Sequence, residues 1–112
     1  MTKQTKDIQT VIDELAIKGV KALDAMANFT QEQVDHIVHQ AAIAALDKHM
    51  YLAKLAVDET GRGIYEDKAI KNMYASEYIW NSIKYDKTVG VIDEDKEQGL
   101  VSIAEPVGVI CG

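Results

Sequence analysis

Cysteine, proline and phenylalanine are almost missing from this sequence. Its 112 residues include one cysteine, one proline and one phenylalanine. Because a single cysteine cannot close an internal disulfide, a disulfide-stabilised scaffold is excluded, and the composition agrees with a reducing compartment. One proline and seven glycines also exclude collagen-like and proline-rich low-complexity chains.

Positive charge is scarce as well. Twelve lysine and arginine residues stand against 18 aspartate and glutamate residues, which gives a net charge of −6. Nucleic-acid affinity comes mainly from clustered basic side chains, so a nucleic-acid partner is not expected. No apolar run approaches the roughly 20 residues of a membrane helix, and the polar start lacks the apolar core of a signal peptide. The sequence therefore predicts a cytoplasmic protein without a membrane partner.

What is present fits one globular domain or a piece of one, with 47% hydrophobic and 27% charged residues. A first helix is predicted over residues 7–27, because apolar residues recur there at i, i+3, i+4 and i+7. Gly19 lies on this apolar stripe. It is either simply tolerated or lets another helix approach closely.

The second predicted helix, residues 30–59, has the clearest start signal. Thr30 can cap it, and Gln33 stands at the position that bonds back to the cap. An alanine-lined stripe continues until Gly61, which suits a left-handed helix cap. Small residues on the buried face predict tight packing against a neighbouring helix.

The third predicted helix covers residues 66–84. Apolar residues surround most of its circumference, so it needs cover on more than one side. Its aromatic residues fit a core or a domain interface better than a free surface. These residues are Tyr74, Tyr78, Trp80 and, just beyond the helix, Tyr85.

The pattern changes from helical to β-type after residue 85. Two short β-rich runs flank a polar segment at 93–99 and predict a hairpin over residues 88–104. Residues 107–112 form a continuous apolar run, typical of a strand buried on both faces of a parallel sheet. The predicted fold class is an α/β fragment with a helical segment at 7–85, the hairpin and a first sheet strand. Because that strand has no partners here, we expect residues 1–112 to be part of a longer protein.

Cysteine and histidine are the candidate catalytic or metal-ligating residues. Cys111 suggests a nucleophile, but its apolar neighbours predict a buried thiol of low reactivity. His36 and His39 are three residues apart on one helix, yet a structural zinc site needs four ligands, so both are expected to be solvent-exposed. His49 is expected to be a partly buried, hydrogen-bonded packing residue.

Two polar segments suggest ligand sites but lack the complete motif. The Asp-Glu-Asp run at 93–95 lacks the later bidentate glutamate of a calcium loop, so a charged hairpin tip is expected. The Gly-Arg-Gly run at 61–63 has neither the third glycine nor the preceding strand of a dinucleotide loop. Arg62 is a candidate anchor for a loop or a partner.

Four segments resemble one known family. They are ETGRGIYEDK at 59–68, KN at 71–72, ASEYIWN at 75–81 and IAEPVGVICG at 103–112. Together they resemble the start of the bifunctional aldehyde-alcohol dehydrogenases. The E-P-x-G-V entry to the last strand is shared with the wider aldehyde dehydrogenase superfamily, whereas E-D-K-x-I-K-N and A-S-E-Y-I are more specific.

The resemblance implies the N-terminal part of an acylating aldehyde dehydrogenase domain, joined to an iron-dependent alcohol dehydrogenase domain. Such an enzyme reduces acetyl-CoA with NADH to acetaldehyde and then to ethanol. The resemblance further implies contact with the remainder of the chain and homo-oligomerisation through the 88–104 hairpin. No position here matches the family's catalytic cysteine, cofactor or iron motifs. We therefore expect no catalytic, cofactor-binding or metal-ligating residue, and no activity, in these residues alone.

Two other functions remain open at the level of sequence. One is a free-standing helical interaction module that docks onto full-length dehydrogenase subunits. The other is a small thiol enzyme in which Cys111 pairs with a histidine, although nothing in the spacing supports that pairing.

Overall fold

A computed structural model describes residues 6–112 and divides them into two compact units. The terminal unit combines the residues up to Thr30 with residues 88–112, and the helical unit is formed by residues 31–87. The fold class is confirmed, because the chain contains helices and one antiparallel hairpin.

The terminal unit contains one long helix and the hairpin. Helix α1 runs from Ile8 to Met26, within a residue of the predicted span at each end. Strands β1 (Gly90–Asp95) and β2 (Leu100–Ala104) pair antiparallel, with a bulge between Val91 and Asp93. The predicted loop at 93–99 shortens to residues 96–99, because the acidic residues extend β1.

Residues 107–112 form no strand in this structure, so the first sheet strand stays a prediction for a longer chain. A strand exists through hydrogen bonds to a neighbouring strand, and the only strand pairing among residues 6–112 is that of β1 with β2. The apolar pattern of this segment records a preference for burial, but it cannot supply the partner strand.

The helical unit begins with α2 (Gln31–Asp47), directly after Thr30 as predicted. Helix α3 (His49–Thr60) follows and ends at Gly61, whose φ of 64° is the left-handed cap that the sequence predicted. Helix α4 (Tyr65–Met73), a π-helical turn (Tyr74–Tyr78) and α5 (Ile79–Ile83) then follow without interruption. Helix α3 packs chiefly against α4.

The predicted single helix over 30–59 is broken at Lys48. There the backbone lies at φ −107° and ψ 9°, outside the helical region. The Lys48 amide donates to the Ala45 carbonyl, three residues back, while the His49 ring Nδ1 donates to the Leu46 carbonyl at 2.6 Å. A side chain that takes a backbone acceptor competes with the regular helical ladder, and a break results.

The π-helical turn is the second departure from the predicted helices. The Ser76 hydroxyl donates to the Asn72 carbonyl at 2.6 Å, with a longer contact of 3.3 Å to the Met73 carbonyl. These are the carbonyls that regular backbone amides one turn further along would use. The hydroxyl therefore gives the local reason for a widened turn at this position.

Very little of the described chain is fully buried. Ala53, on α3, is the buried apolar residue, and Ser76 is the buried polar one. Both lie in the helical unit: Ala53 is on α3, which packs against α4, and Ser76 is in the π-helical turn, which packs against α2. The core of the described residues is consequently narrow, and large apolar side chains are exposed on every helix and on both strands.

Candidate functional site

The helical unit contains an apolar groove of about 360 Å³. Helix α2 and the beginning of α3 line one side, and the helix from α4 to α5 lines the other. The lining residues are Val38, Ala41, Ala42, Ala45, Leu52, Asn72, Ala75, Ser76, Ile79, Trp80 and Ile83. The small residues of α2 are those that the sequence assigned to tight helix packing. In this chain they face an open groove.

One polar connection crosses the base of this groove. The Asn72 side-chain amide donates to the His49 carbonyl at 3.0 Å, across 23 residues of sequence. This bond joins the break after α2 to the beginning of the π-helical turn. Asn72 and Ser76 were missed as site residues in the sequence. The available signal was two polar residues four apart, which places them on one face of the predicted helix.

His39 lies against Trp80 at one side of the groove, which corrects the expected full exposure of this histidine. The two rings are stacked, with centroids 4.2 Å apart and planes 15° from parallel. The Lys84 ammonium lies 5.3 Å from the Trp80 ring centroid and 5.1 Å from that of Tyr85, within cation–π range. His39 is half-buried because its flat ring covers the indole, although it lies off the apolar stripe of α2.

The other histidines behave as the sequence predicts. His36 is exposed, and His49 is half-buried and hydrogen-bonded to the Leu46 carbonyl. Within residues 6–112, no cluster of three or more His, Cys, Asp or Glu side chains could hold a metal ion. The structure therefore offers no ligand set among these residues for iron or another metal.

Cys111 is exposed, so the prediction of a buried thiol is wrong for this chain. The apolar run around it would bury the thiol in a paired strand, and that strand is not formed. Cys111 belongs to the terminal unit, whereas all three histidines belong to the helical unit. Nothing described places a histidine as a general base for this thiol.

The acidic residues of the hairpin have a structural use. Asp95 ends β1, and its Oδ1 accepts bonds from the amides of Glu97 and Gln98, both at 3.0 Å. Asp93 and Glu94 lie within the strand, opposite Ser102 and Val101. A carboxylate that closes the turn in this way stabilises the hairpin. The charged residues expected only at the hairpin tip thus also form the end of strand β1.

The 61–63 loop does not fit a nucleotide. It joins two helices, so it lacks the strand that precedes a dinucleotide-binding loop. The flexible end of the Lys68 side chain lies beside Gly63. The Arg62 amide donates to the Thr60 hydroxyl, and the Arg62 side chain is exposed. These residues give no reason to assign a cofactor site here.

Lys54 is the charged residue with a clear electrostatic partner on α3. Its ammonium donates to the Asp58 carboxylate at 2.8 Å, one helical turn further on. This hydrogen bond and the opposite charge raise the pKa of Lys54 above its usual value. Both side chains are exposed, so the pair belongs to the surface of α3 and not to a reaction site.

The tyrosines of the third predicted helix are exposed. Tyr74 and Tyr78 stack with ring centroids 5.5 Å apart, both are exposed, and neither lines the groove. Tyr85 is 87% exposed. A core position is therefore wrong for these three residues in this chain, whereas an interface with other residues stays a prediction.

No family model matches the chain, but its sequence is similar to those of known proteins. Over 113 residues the chain is 48% identical to aldehyde-alcohol dehydrogenase 2 of Entamoeba histolytica, covering 99% of this chain and 13% of that protein. Over 101 residues it is 58% identical to the bifunctional aldehyde-alcohol dehydrogenase of Escherichia coli K12, covering 90% of this chain and 11% of that protein. The chain is homologous to the aldehyde-alcohol dehydrogenases.

The solved structures agree with this homology. An acetylating aldehyde dehydrogenase from Geobacillus thermoglucosidasius superposes with a TM-score of 0.70 at 39% identity, covering 83% of this chain and 22% of that one. The resemblance to the N-terminal region of the aldehyde-alcohol dehydrogenases is thus confirmed. The chain spans only 11–13% of the length of the two curated relatives.

The helices of this aldehyde-alcohol dehydrogenase homologue lack the length and apolar character of a membrane span among the described residues. Within the described residues, every helix is too short or too polar to cross a bilayer.

Proposed function

We propose that the chain is the N-terminal portion of a cytoplasmic, bifunctional enzyme that reduces acetyl-CoA with NADH to acetaldehyde and then to ethanol. One observation carries the proposal: identity of 48–58% extends over 90–99% of this chain but covers only 11–13% of the two aldehyde-alcohol dehydrogenases it matches. Homology of that extent indicates a shared parent activity. The small share of each relative indicates that most of the catalytic machinery lies in other residues.

In this proposal the chain contributes structure and not chemistry. The apolar groove between α2 and the α4–α5 helix receives the remainder of the acylating aldehyde dehydrogenase domain. The small side chains of Ala41, Ala42 and Ala45 suit such close packing. The 107–112 segment becomes the first strand of the nucleotide-binding sheet once partner strands are supplied.

NAD and iron belong to the proposed parent enzyme and not to these residues. The 61–63 loop does not fit a dinucleotide, and residues 6–112 contain no metal-ligand cluster. In this proposal neither group is bound by these residues, and no step of the reaction is assigned to their side chains. We expect the 112-residue chain alone to have no dehydrogenase activity.

The test compares two proteins from the same gene. The 112-residue chain and the protein encoded by the complete reading frame are purified and assayed for NADH oxidation with acetyl-CoA. We expect activity from the longer protein and none from the shorter one. NADH oxidation by the 112-residue chain would contradict its structural role, and no activity in the longer protein would contradict the parent function.

A second candidate, the free-standing interaction module, is favoured by one observation. The apolar groove and the exposed apolar residues of the helical unit form a surface that can bind a helical partner. The module would dock onto full-length dehydrogenase subunits. A stop codon after Gly112, a cellular band near 12.4 kDa and co-purification with full-length subunits would favour the module. A continuous frame and one large band would favour the N-terminal portion.

A further inference from the structure

Gly19 packs directly against Val109 within the terminal unit. It lies in the middle of α1, and a Cβ built on it would lie 2.8 Å from Cγ1 of Val109 and 3.4 Å from its Cγ2. The Val109 Cβ would be 3.7 Å away. A separation of 2.8 Å between two carbon atoms is well inside their van der Waals contact distance. Val109 therefore occupies the space that any other residue at position 19 would need.

The backbone gives no other reason for glycine at this position. Gly19 is not among the glycines with positive φ, so an L residue could adopt its helical conformation. Glycine inside a helix lowers its stability relative to alanine. The neighbouring valine is β-branched, and its χ1 rotamer cannot change freely to make room. The close contact with Val109 is thus the structural reason for glycine at this position.

Val109 is also distinct among the apolar residues of its own segment. It is 53% exposed, whereas Val107 is 90% and Ile110 is 76% exposed. Gly108, directly before it, has a φ of 102°, a conformation that favours glycine and turns the chain locally. Val109 is therefore the least exposed of these three side chains, and it is the one that contacts α1 at Gly19.

We propose that the notch at Gly19 is the docking site on α1 for the 107–112 segment, with Val109 as the side chain that fills it. Gly19 is a positioning residue for this segment and has no part in chemistry. The assignment depends on contacts within the terminal unit and stands independently of the proposed function. The sequence allowed Gly19 to admit a neighbouring helix, and the structure gives it an extended segment instead.

The test is a double-mutant cycle in the 112-residue chain. Wild type, Gly19→Ala, Val109→Ala and the double variant are unfolded in urea, and helix content is followed by circular dichroism. In the Val109→Ala background the clash is removed, so Gly19→Ala is expected to raise the folding equilibrium constant by about two- to fivefold, as alanine does in helices. In the Val109 background the same change is expected to leave the constant unchanged or lower it.

A matched control separates the notch from a general effect of valine truncation. Val107→Ala removes the same atoms from the same segment at a more exposed position, so it is expected not to restore the benefit of Gly19→Ala. A direct measurement needs no variant: the proposal expects a nuclear Overhauser effect between the Gly19 Hα protons and the Val109 methyl groups in wild type.

Three results would overturn the proposal. They are an equal gain from Gly19→Ala in both backgrounds, rescue by Val107→Ala as effective as by Val109→Ala, and a missing Gly19–Val109 Overhauser effect in the wild-type chain. A gain from Gly19→Ala in the Val109→Ala background but not in the Val109 background, together with the observed Overhauser effect, would support it.

Discussion

Asn72 connects two helices whose sequences are far apart. Its side-chain amide donates to the His49 carbonyl across 23 residues, while its own carbonyl accepts from Ser76. His49 in turn donates from its ring to the Leu46 carbonyl. These three residues hold together the break after α2 and the π-helical turn. Each non-regular backbone feature therefore has a side chain that accounts for it.

Replacing Asn72 by alanine is expected to destabilise the chain by about 1–2 kcal/mol, because a half-buried carbonyl loses its donor. The comparison variant is Asn81→Ala. Asn81 donates to the Glu77 carbonyl at the same distance, 3.0 Å, but that bond is exposed and lies within one helix. Both substitutions change helix propensity equally, so only the tertiary bond distinguishes them. Urea denaturation followed by circular dichroism measures the difference.

A change of less than about 0.5 kcal/mol at Asn81 is expected, as for exposed sites generally. If the two variants shifted the urea midpoint equally, the bond from Asn72 to His49 would contribute nothing beyond a local contact. The long-range connection would then be wrong as an account of why the break after α2 is fixed.

The two faces of the hairpin carry different side chains, and the strand register defines which residues lie on each face. Val91 and Ile103 are directly opposite each other and are 56% and 59% exposed, so they form an apolar pair on one face. Asp93 and Ser102 are the next opposite pair, and Ser102 points to the other face of β2. The bulge after Val91 brings this register about, because it inserts one residue into β1.

The proposed oligomerisation through this hairpin gives a prediction for the full-length protein. Val91→Lys and Ile103→Lys place charges on the apolar face, and each is expected to weaken subunit association at least about tenfold, the cost of a charge in an apolar interface. Sedimentation velocity of the full-length variants measures the effect. Ser102→Lys, on the opposite face, is the control and is expected to leave the assembly intact. An unchanged assembly after both apolar-face substitutions would contradict this role.

At the scale of elements, predictions from the sequence are correct wherever local rules decide where a helix starts and ends. The start of α2 after Thr30 and its continuation to Gly61 as a helical region follow from capping and periodicity. The break at Lys48 and the π-helical turn do not follow, because they depend on which carbonyl a histidine or serine side chain reaches. Periodicity records which face is apolar, and it is insensitive to one displaced hydrogen bond.

At the scale of the whole molecule, the described chain buries few apolar residues. Only Ala53 is buried among the described hydrophobic residues, and each helix of the helical unit exposes large aliphatic or aromatic side chains. Unpaired apolar surface of this kind marks a site for association. The exposed tyrosines and the open groove are therefore consistent with a chain that completes its core with other residues.

The groove gives the whole-molecule prediction. The dye ANS binds exposed apolar surface, so its fluorescence is expected to increase strongly in the presence of the 112-residue chain. Ala42→Glu places a charge in the groove lining and is expected to lower that fluorescence severalfold. Ala44→Glu makes the same change on the same helix at an exposed position outside the groove, and it is expected to have little effect. Equal fluorescence of the two variants would contradict a ligand-accessible groove.

The sequence by itself determined the fold class, the approximate helix spans, the hairpin and the family, because capping, periodicity and motif letters are local properties. Tertiary structure decided the rest. His39 is covered because Trp80 lies opposite it, and Ser76 is buried in the π-helical turn that packs against α2. The apolar run around Cys111 is not a strand and its thiol is exposed, because a sequence can carry the preference for burial but only neighbouring strands can satisfy it.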